Sequence, residues 1–114
     1  MQESSPSFAI PDEELLYHGL NSCPGCMAAL AMRHVLKAMG LNTVLALTTG
    51  CWAVIDGSFP YSAAKVPLLH GAFGTAAFMA RGLRASLDVQ GKQDVQVLAW
   101  EGDGATFDIG MTAL

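Results

Sequence analysis

The sequence has 114 residues, 52% hydrophobic and 14% charged, with a formal net charge of −4. A lightly charged, apolar chain of this length folds as one globular domain or part of one, which excludes intrinsic disorder. Six Lys and Arg against ten Asp and Glu provide no basic surface for nucleic acid, and no run of roughly 18 apolar residues exists to cross a membrane.

The opening stretch MQESSPSFAIPDEE lacks the basic and apolar regions of a secretory signal. Residues 1–16 therefore read as an N-terminal arm, residues 17–114 as the domain, and the cytoplasm as the default location. Asn21–Gly25, NSCPG, is turn-forming. From Met27 a helical period begins. Ala28, Met32, Val35, Leu36 and Met39 share one face, and Gly40 is placed to end the helix. Thr43–Leu47, TVLAL, is a continuous apolar run suited to a buried parallel strand, and it stops at Thr49-Gly50-Cys51. Trp52–Pro67 contains Gly57, Pro60 and Pro67 and shows no period, so a long ordered loop is expected. Gly71–Ser86 reads as a second helix, with Ala72, Ala76, Ala80 and Leu83 on one stripe of mostly small residues. Asp94–Trp100 reads as a second strand, and Phe107–Leu114 as the start of a third helix.

Strands alternating with helices predict an α/β domain with a parallel sheet and flanking helices. Two strands cannot bury the faces of such a sheet. The expectation is a fragment, or a chain that depends on others.

In an open parallel sheet, ligands bind beyond the carboxyl ends of the strands. Glu101-Gly102-Asp103-Gly104 follows such an end. Glycine permits close backbone approach, backbone amides opening a helix can hold an anion, and an Asp beside a diphosphate is a hard oxygen ligand for Mg²⁺. A tight turn with a helix-capping Asp explains the same residues, and for this motif in isolation it is the stronger account.

Three cysteines are present. Cys23-Pro24-Gly25-Cys26 places two thiols in one turn, and Cys51 lies past the first strand. In a reducing compartment, metal or redox chemistry outweighs disulfides. Soft thiolates select iron–sulfur clusters, zinc or copper(I). A [4Fe–4S] cluster usually takes four cysteines, so one is lacking here. His18, His34 or His70 could complete a zinc site, although a packed or solvated histidine is the plainer reading of each. A thioredoxin-like pair should follow a strand, and none precedes Cys23. Three buried structural cysteines are the remaining alternative.

Taken together, CPGC before an alanine-rich helix, TTGCW, FPYSAAKVPLLHGAFGTAAFMARGL and EGDGATFDIGMTAL resemble the β subunit of 2-oxoacid:ferredoxin oxidoreductases, the family of pyruvate synthase and the ketoisovalerate enzyme. The resemblance runs from about Tyr17 to Leu114. It implies the first half of a thiamine diphosphate-binding domain. It implies that Cys23, Cys26 and Cys51 are three ligands of a [4Fe–4S] cluster, the fourth coming from beyond Leu114. It implies that Asp103 is a Mg²⁺ ligand, with a second polar ligand further on, and that Gly102, Gly104 and Ala105 meet the diphosphate. Thr49, Gly50 and Cys51 fall in the cofactor-binding block, and the histidine of His70-Gly71 approaches the cofactor in some relatives. Many relatives carry glycine after the second cysteine, where this chain has Met27.

The implied reaction is oxidative decarboxylation of a 2-oxoacid, pyruvate or branched-chain, to an acyl-coenzyme A. Electrons pass through the cluster to ferredoxin, and the implied partners are the α, γ and δ subunits of one complex. A non-redox thiamine diphosphate enzyme would have no use for the cysteines. A zinc-binding or interaction module would have no use for the Gly-Asp-Gly turn. Glu101 lies at the diphosphate end and is not expected to activate the cofactor. Lys65 and Arg81 could contact substrate or other subunits, although solvated surface charge is the plainer reading of each.

Overall fold

A computed structural model describes residues 9–114. Helix α1 spans Met27–Met39, β1 Thr43–Thr48, α2 Cys51–Ile55, β2 Leu68–Gly71, α3 Ala76–Val89 and β3 Gln96–Trp100. A π-helical turn, Ala105–Ile109, and a 3₁₀ turn, Met111–Ala113, close the described chain.

The three strands form one parallel sheet in the order β2-β1-β3. The central strand carries the most apolar sequence because both its edges and both its faces are covered. Its side chains alternate between two layers. Leu45 and Leu47 join Met32 and Leu36 of α1, Trp52 and Ile55 of α2, and Val66 in the main core. Ala46 is buried and faces the other way, toward α3, where Ala76 and Ala77 are buried. Small residues on both surfaces let α3 lie close to β1 and β3. Two polar ties fix the strand starts. Asn42 Nδ2 donates to the Asp94 backbone carbonyl and carboxylate at 3.0 Å each. Arg84 of α3 donates to the carbonyls of Lys92, at 2.9 Å, and Val95, just before β3.

The expected α1 is observed with its boundaries, and the Gly40 N–H donates to Leu36 O at 2.8 Å with φ +82°. Met32 and Leu36 are fully buried, and Ala28, Val35 and Met39 are partly buried. The strand expected at 43–47 runs one residue further, and the strand expected at 94–100 begins at Gln96. Other expectations are corrected. Among the described residues the sheet has three strands, not two. The stretch expected as a loop over 52–67 begins with α2, too short for its periodicity to show. β2 has only four residues and a half-exposed burial pattern, so its sequence lacks the continuous apolar run of β1. The second helix starts at Ala76, not Gly71, which leaves Ala72 exposed outside it. The turn after β3 goes helical at Asp103, ahead of the expected Phe107, and is π rather than α over Ala105–Ile109.

Residues 1–8 of the expected arm lie outside the described residues. The part nearest the domain is not loose. Leu15 and Leu16 are core residues, Leu16 bridges Ala64 antiparallel, and Tyr17 N–H donates to Ala63 O at 2.8 Å while Lys65 N–H donates to Leu15 O at 2.9 Å. The Glu14 carboxylate accepts from Arg33 Nε and lies within 2.8 Å of Lys37 Nζ on α1. Apolar burial of two leucines between flanking charges explains the docking.

Hydrogen bonds from Arg33 and then Lys37 draw the Glu14 carboxyl from its usual 4.5 down to about 2. A depressed carboxyl favours the folded form above its unfolded pKa and loses that effect as pH falls through the folded one. The clamp is therefore complete above 4.5 and released as pH drops toward about 2. Glu14→Gln should speed hydrogen exchange at the Tyr17 and Lys65 amides at neutral pH, with global stability changed little because the pair is exposed. Unchanged protection at both amides would contradict the clamp.

Candidate active site at the strand-end rim

Parallel strands end on one side of a sheet, so three strand ends share one rim: Thr49-Gly50-Cys51 after β1, His70-Gly71 closing β2, and Glu101-Gly102-Asp103-Gly104 after β3. Registers Leu47↔Trp100 and Leu47↔His70 set β2 and β3 on either side of β1, so His70 and Asp103 each come from a strand neighbouring the one that leads to Cys51. The expected common edge for Cys51 and Asp103 is thus observed in the topology.

Trp52 fixes the rim from below. It is 4% exposed, and its indole N–H donates to Ala28 O in the first turn of α1 at 3.2 Å. Its ring meets Trp100 edge to face, centroids 6.4 Å apart and planes at 76°. One side chain therefore ties the residue after Cys51, the helix that follows Cys26, and the last residue of β3.

The CPGC turn is closed by Cys26 N–H donating to Cys23 O at 3.0 Å. Cys26 is half-buried against the core, while Cys23 and Cys51 are exposed. Among the described residues no three His, Cys, Asp or Glu side chains converge as a metal-holding group. The fold brings the cysteine-bearing segments together through Trp52, and the three sulfurs are not gathered into a cage. Their chemistry fits a soft metal cluster; their described arrangement does not preform one. His18 and His34 are exposed and join no such group. Lys65 lies over the Tyr17 ring, 5.1 Å from its centroid, and Arg81 is exposed on α3.

At the β3 end, Gly102, Asp103 and Gly104 are exposed and Ala105 is buried. A Cβ on Gly102 would meet nothing within 4 Å, so this backbone is open to approach. Thr106 N–H and Oγ1 both donate to Gly102 O, at 3.0 and 2.9 Å. The π turn is closed by Gly110 N–H to Ala105 O at 2.7 Å. Here only glycine fits, because a Cβ on Gly110 would lie 2.5 Å from that carbonyl. Gly74, at φ +74°, meets the same turn: a Cβ there would lie 2.6 Å from Ile109 Cγ2. Single π turns recur at functional sites.

The sequence did not foretell two features, the burial of Glu101 and the partners of Asp56. Both Glu101 carboxylate oxygens are buried with no hydrogen-bond partner among the described residues. They face Gly110, whose Cβ would sit 3.2 Å from each. The second is Asp56, 5% exposed at the end of α2. Its Oδ1 accepts from Ser62 Oγ at 2.8 Å and Ala63 N–H at 2.9 Å, and its Oδ2 lies 3.1 Å from His70 Nε2. The signal was an acid directly before Gly57 in an otherwise apolar stretch.

No protein-family model matches the chain. Among curated proteins it is 45% identical over 105 residues to pyruvate synthase subunit PorB of Methanothermobacter thermautotrophicus, covering 92% of this chain and 36% of that protein. It is 43% identical over 110 residues to ketoisovalerate oxidoreductase subunit VorB of Pyrococcus furiosus, covering 92% and 35%, and 39% identical over 118 residues to the VorB subunit of Pyrococcus horikoshii, covering 99% and 38%. The chain spans about a third of the length of the curated relatives it matches.

Trp52→Phe keeps the ring pair and removes the indole donor. It should cost about 1 kcal/mol of stability in urea denaturation, the size of one lost hydrogen bond whose acceptor keeps its place in the helix. It should also speed hydrogen exchange in the first turn of α1 while β1 stays protected. Unaltered exchange there would show that Trp52 does not hold the two cysteine-bearing segments together.

Proposed function

From its homology to the B subunits of pyruvate synthase and ketoisovalerate oxidoreductase, of which it spans about a third, we propose that this chain is part of the β subunit of a 2-oxoacid:ferredoxin oxidoreductase, carrying part of its thiamine diphosphate site and three ligands of its iron–sulfur cluster. The observation that carries the reading is the strand order. β1 and β3 are neighbours and parallel, so the residue types for a soft metal cluster and for a diphosphate–Mg²⁺ pair leave the sheet on one rim. A reaction that moves electrons from a bound cofactor to a cluster needs that proximity.

When bound, thiamine diphosphate supplies the electron sink for decarboxylation and a [4Fe–4S] cluster accepts single electrons. The chain's own residues bind and orient. Asp103 offers an exposed carboxylate for Mg²⁺. Gly102, Gly104 and Ala105 bring backbone toward the diphosphate, and Thr49 and Gly50 form the adjoining wall. Cys23, Cys26 and Cys51 donate thiolates, to be completed by a ligand from the rest of the subunit. His70 stands on the third strand end, beside the same rim. The substrate is a 2-oxoacid, the acyl acceptor coenzyme A, and the electron acceptor ferredoxin. The other partners are the remaining subunits of the complex, in the cytoplasm. No helix among the described residues is long and apolar enough to cross a membrane. A non-redox thiamine enzyme would leave CPGC and Cys51 without a role, and a zinc module would leave the open Gly-Asp-Gly turn without one.

Trp100 sits next to Glu101-Gly102-Asp103 and reports on ligands there. Thiamine diphosphate with Mg²⁺ should quench tryptophan fluorescence saturably, with no quench when Mg²⁺ is chelated. Asp103→Asn should weaken binding by roughly tenfold or more, the scale of one charge-assisted contact. Quenching indifferent to Mg²⁺ and to Asp103 would overturn the diphosphate site.

A further inference from the structure

The Asp56–His70 pair has a consequence beyond the proposed cofactor residues. Asp56 is buried and held from three directions. Ser62 Oγ and Ala63 N–H both donate to Oδ1, and Ala63 N–H also reaches the Asp56 carbonyl at 3.0 Å. That leaves Oδ2 facing His70 Nε2 at 3.1 Å. A carboxylate only accepts hydrogen bonds, so the imidazole proton belongs on Nε2. The other ring nitrogen, Nδ1, has no hydrogen-bond partner among the described residues, and the His70 side chain is 43% exposed. The ring stands at the end of β2, beside the end of β1, and with Asp56 lines a cavity of about 360 Å³ walled by Phe59, Tyr61 and Val66.

We propose that Asp56 is a positioning residue that locks His70 in its Nε2–H tautomer, so that bare Nδ1 serves as a hydrogen-bond and proton acceptor for an N–H or O–H group of the ligand at the strand-end rim. Neither residue acts alone. A free imidazole interconverts tautomers, whereas the buried carboxylate selects one. The Ser62 and Ala63 contacts keep the carboxylate from turning away. The ligand's identity rests on the proposed function; the tautomer lock does not.

The test is long-range ¹H–¹⁵N NMR of the histidines in the cofactor-free chain at high pH, where imidazoles are ordinarily neutral. His70, assigned by comparison with His70→Gln, should show the Nε2–H form favoured by roughly tenfold or more, the worth of one charge-assisted hydrogen bond. In Asp56→Asn, the amide oxygen still accepts from Ser62 and Ala63, and the amide N–H now donates to His70 Nε2. The preferred tautomer should reverse to Nδ1–H. Ser62→Ala removes a loop contact without touching Oδ2 and should leave the preference in place. A merely structural Asp56 would not reverse it. A wild-type His70 found as Nδ1–H, or without preference, overturns the proposal even if Asp56→Asn does not fold. No cofactor is present in this sample. A chain that failed to bind thiamine diphosphate would still show the lock, and one that bound it could still lack the lock.

Discussion

The contact on which the rim depends is Trp52 between α1 and β3. A rim of three loops has no rigidity of its own, because loops lack the hydrogen-bonded ladders that hold strands. Here a large buried ring donates to the α1 backbone and stacks edge to face on Trp100. An edge-to-face pair contributes about 0.5–1.5 kcal/mol beyond its burial, and the indole hydrogen bond about as much again. Those amounts are modest beside the whole core. Their importance is where they act: on Trp52 next to Cys51, on Trp100 next to Glu101, and on Ala28 two residues past Cys26.

Strand polarity does the rest. Parallel pairing obliges every strand to deliver its following loop to one side, and burial on both faces makes β1 the least movable element. The sharp division between the buried strand and exposed Thr49-Gly50-Cys51 follows from this. The same rule sends His70 and Gly102-Asp103 to that side. The chemistry-bearing residues are therefore positioned by backbone topology, whereas the sulfur atoms themselves remain free of one another. The β1 and β3 ends are rigidly placed; the CPGC turn is tied to them only through the first turn of α1.

Legibility in the sequence followed the length and regularity of each element. α1 was legible to its boundaries because thirteen residues give a full apolar stripe and Gly40 marks its end. β1 was legible because double burial produces an unbroken apolar run. β2 was not, since four residues on a half-exposed edge carry no period. α2 was missed for the same reason of length. The Gly-Asp-Gly turn was legible as an open backbone, and the π geometry after it was not, because it arises from Gly110 and Gly74 closing on neighbours distant in sequence. The docking of Leu15 and Leu16 is likewise tertiary: two leucines after three acids look like an arm until Val66 and α1 supply the surface they cover. Asp56 shows the same limit at the site. Its partners Ser62, Ala63 and His70 are separated from it by a loop without periodicity, and only the folded loop reveals them.

Asp56 and Glu101 are two buried carboxylates near the same rim with opposite surroundings, and the contrast separates their roles. Asp56 is saturated: Oδ1 holds the loop and Oδ2 holds His70. A carboxylate so fully engaged orients another group and does not bind a ligand itself. Glu101 has neither oxygen engaged by a described residue, although it lies one residue from the open Gly102 backbone. A buried, unengaged carboxylate is costly in free energy, and its position beneath the π turn depends on Gly110 having no side chain. The rim thus pairs a carboxylate committed to positioning with one whose hydrogen-bonding capacity remains open, and the glycine beneath the turn is what makes room for the second.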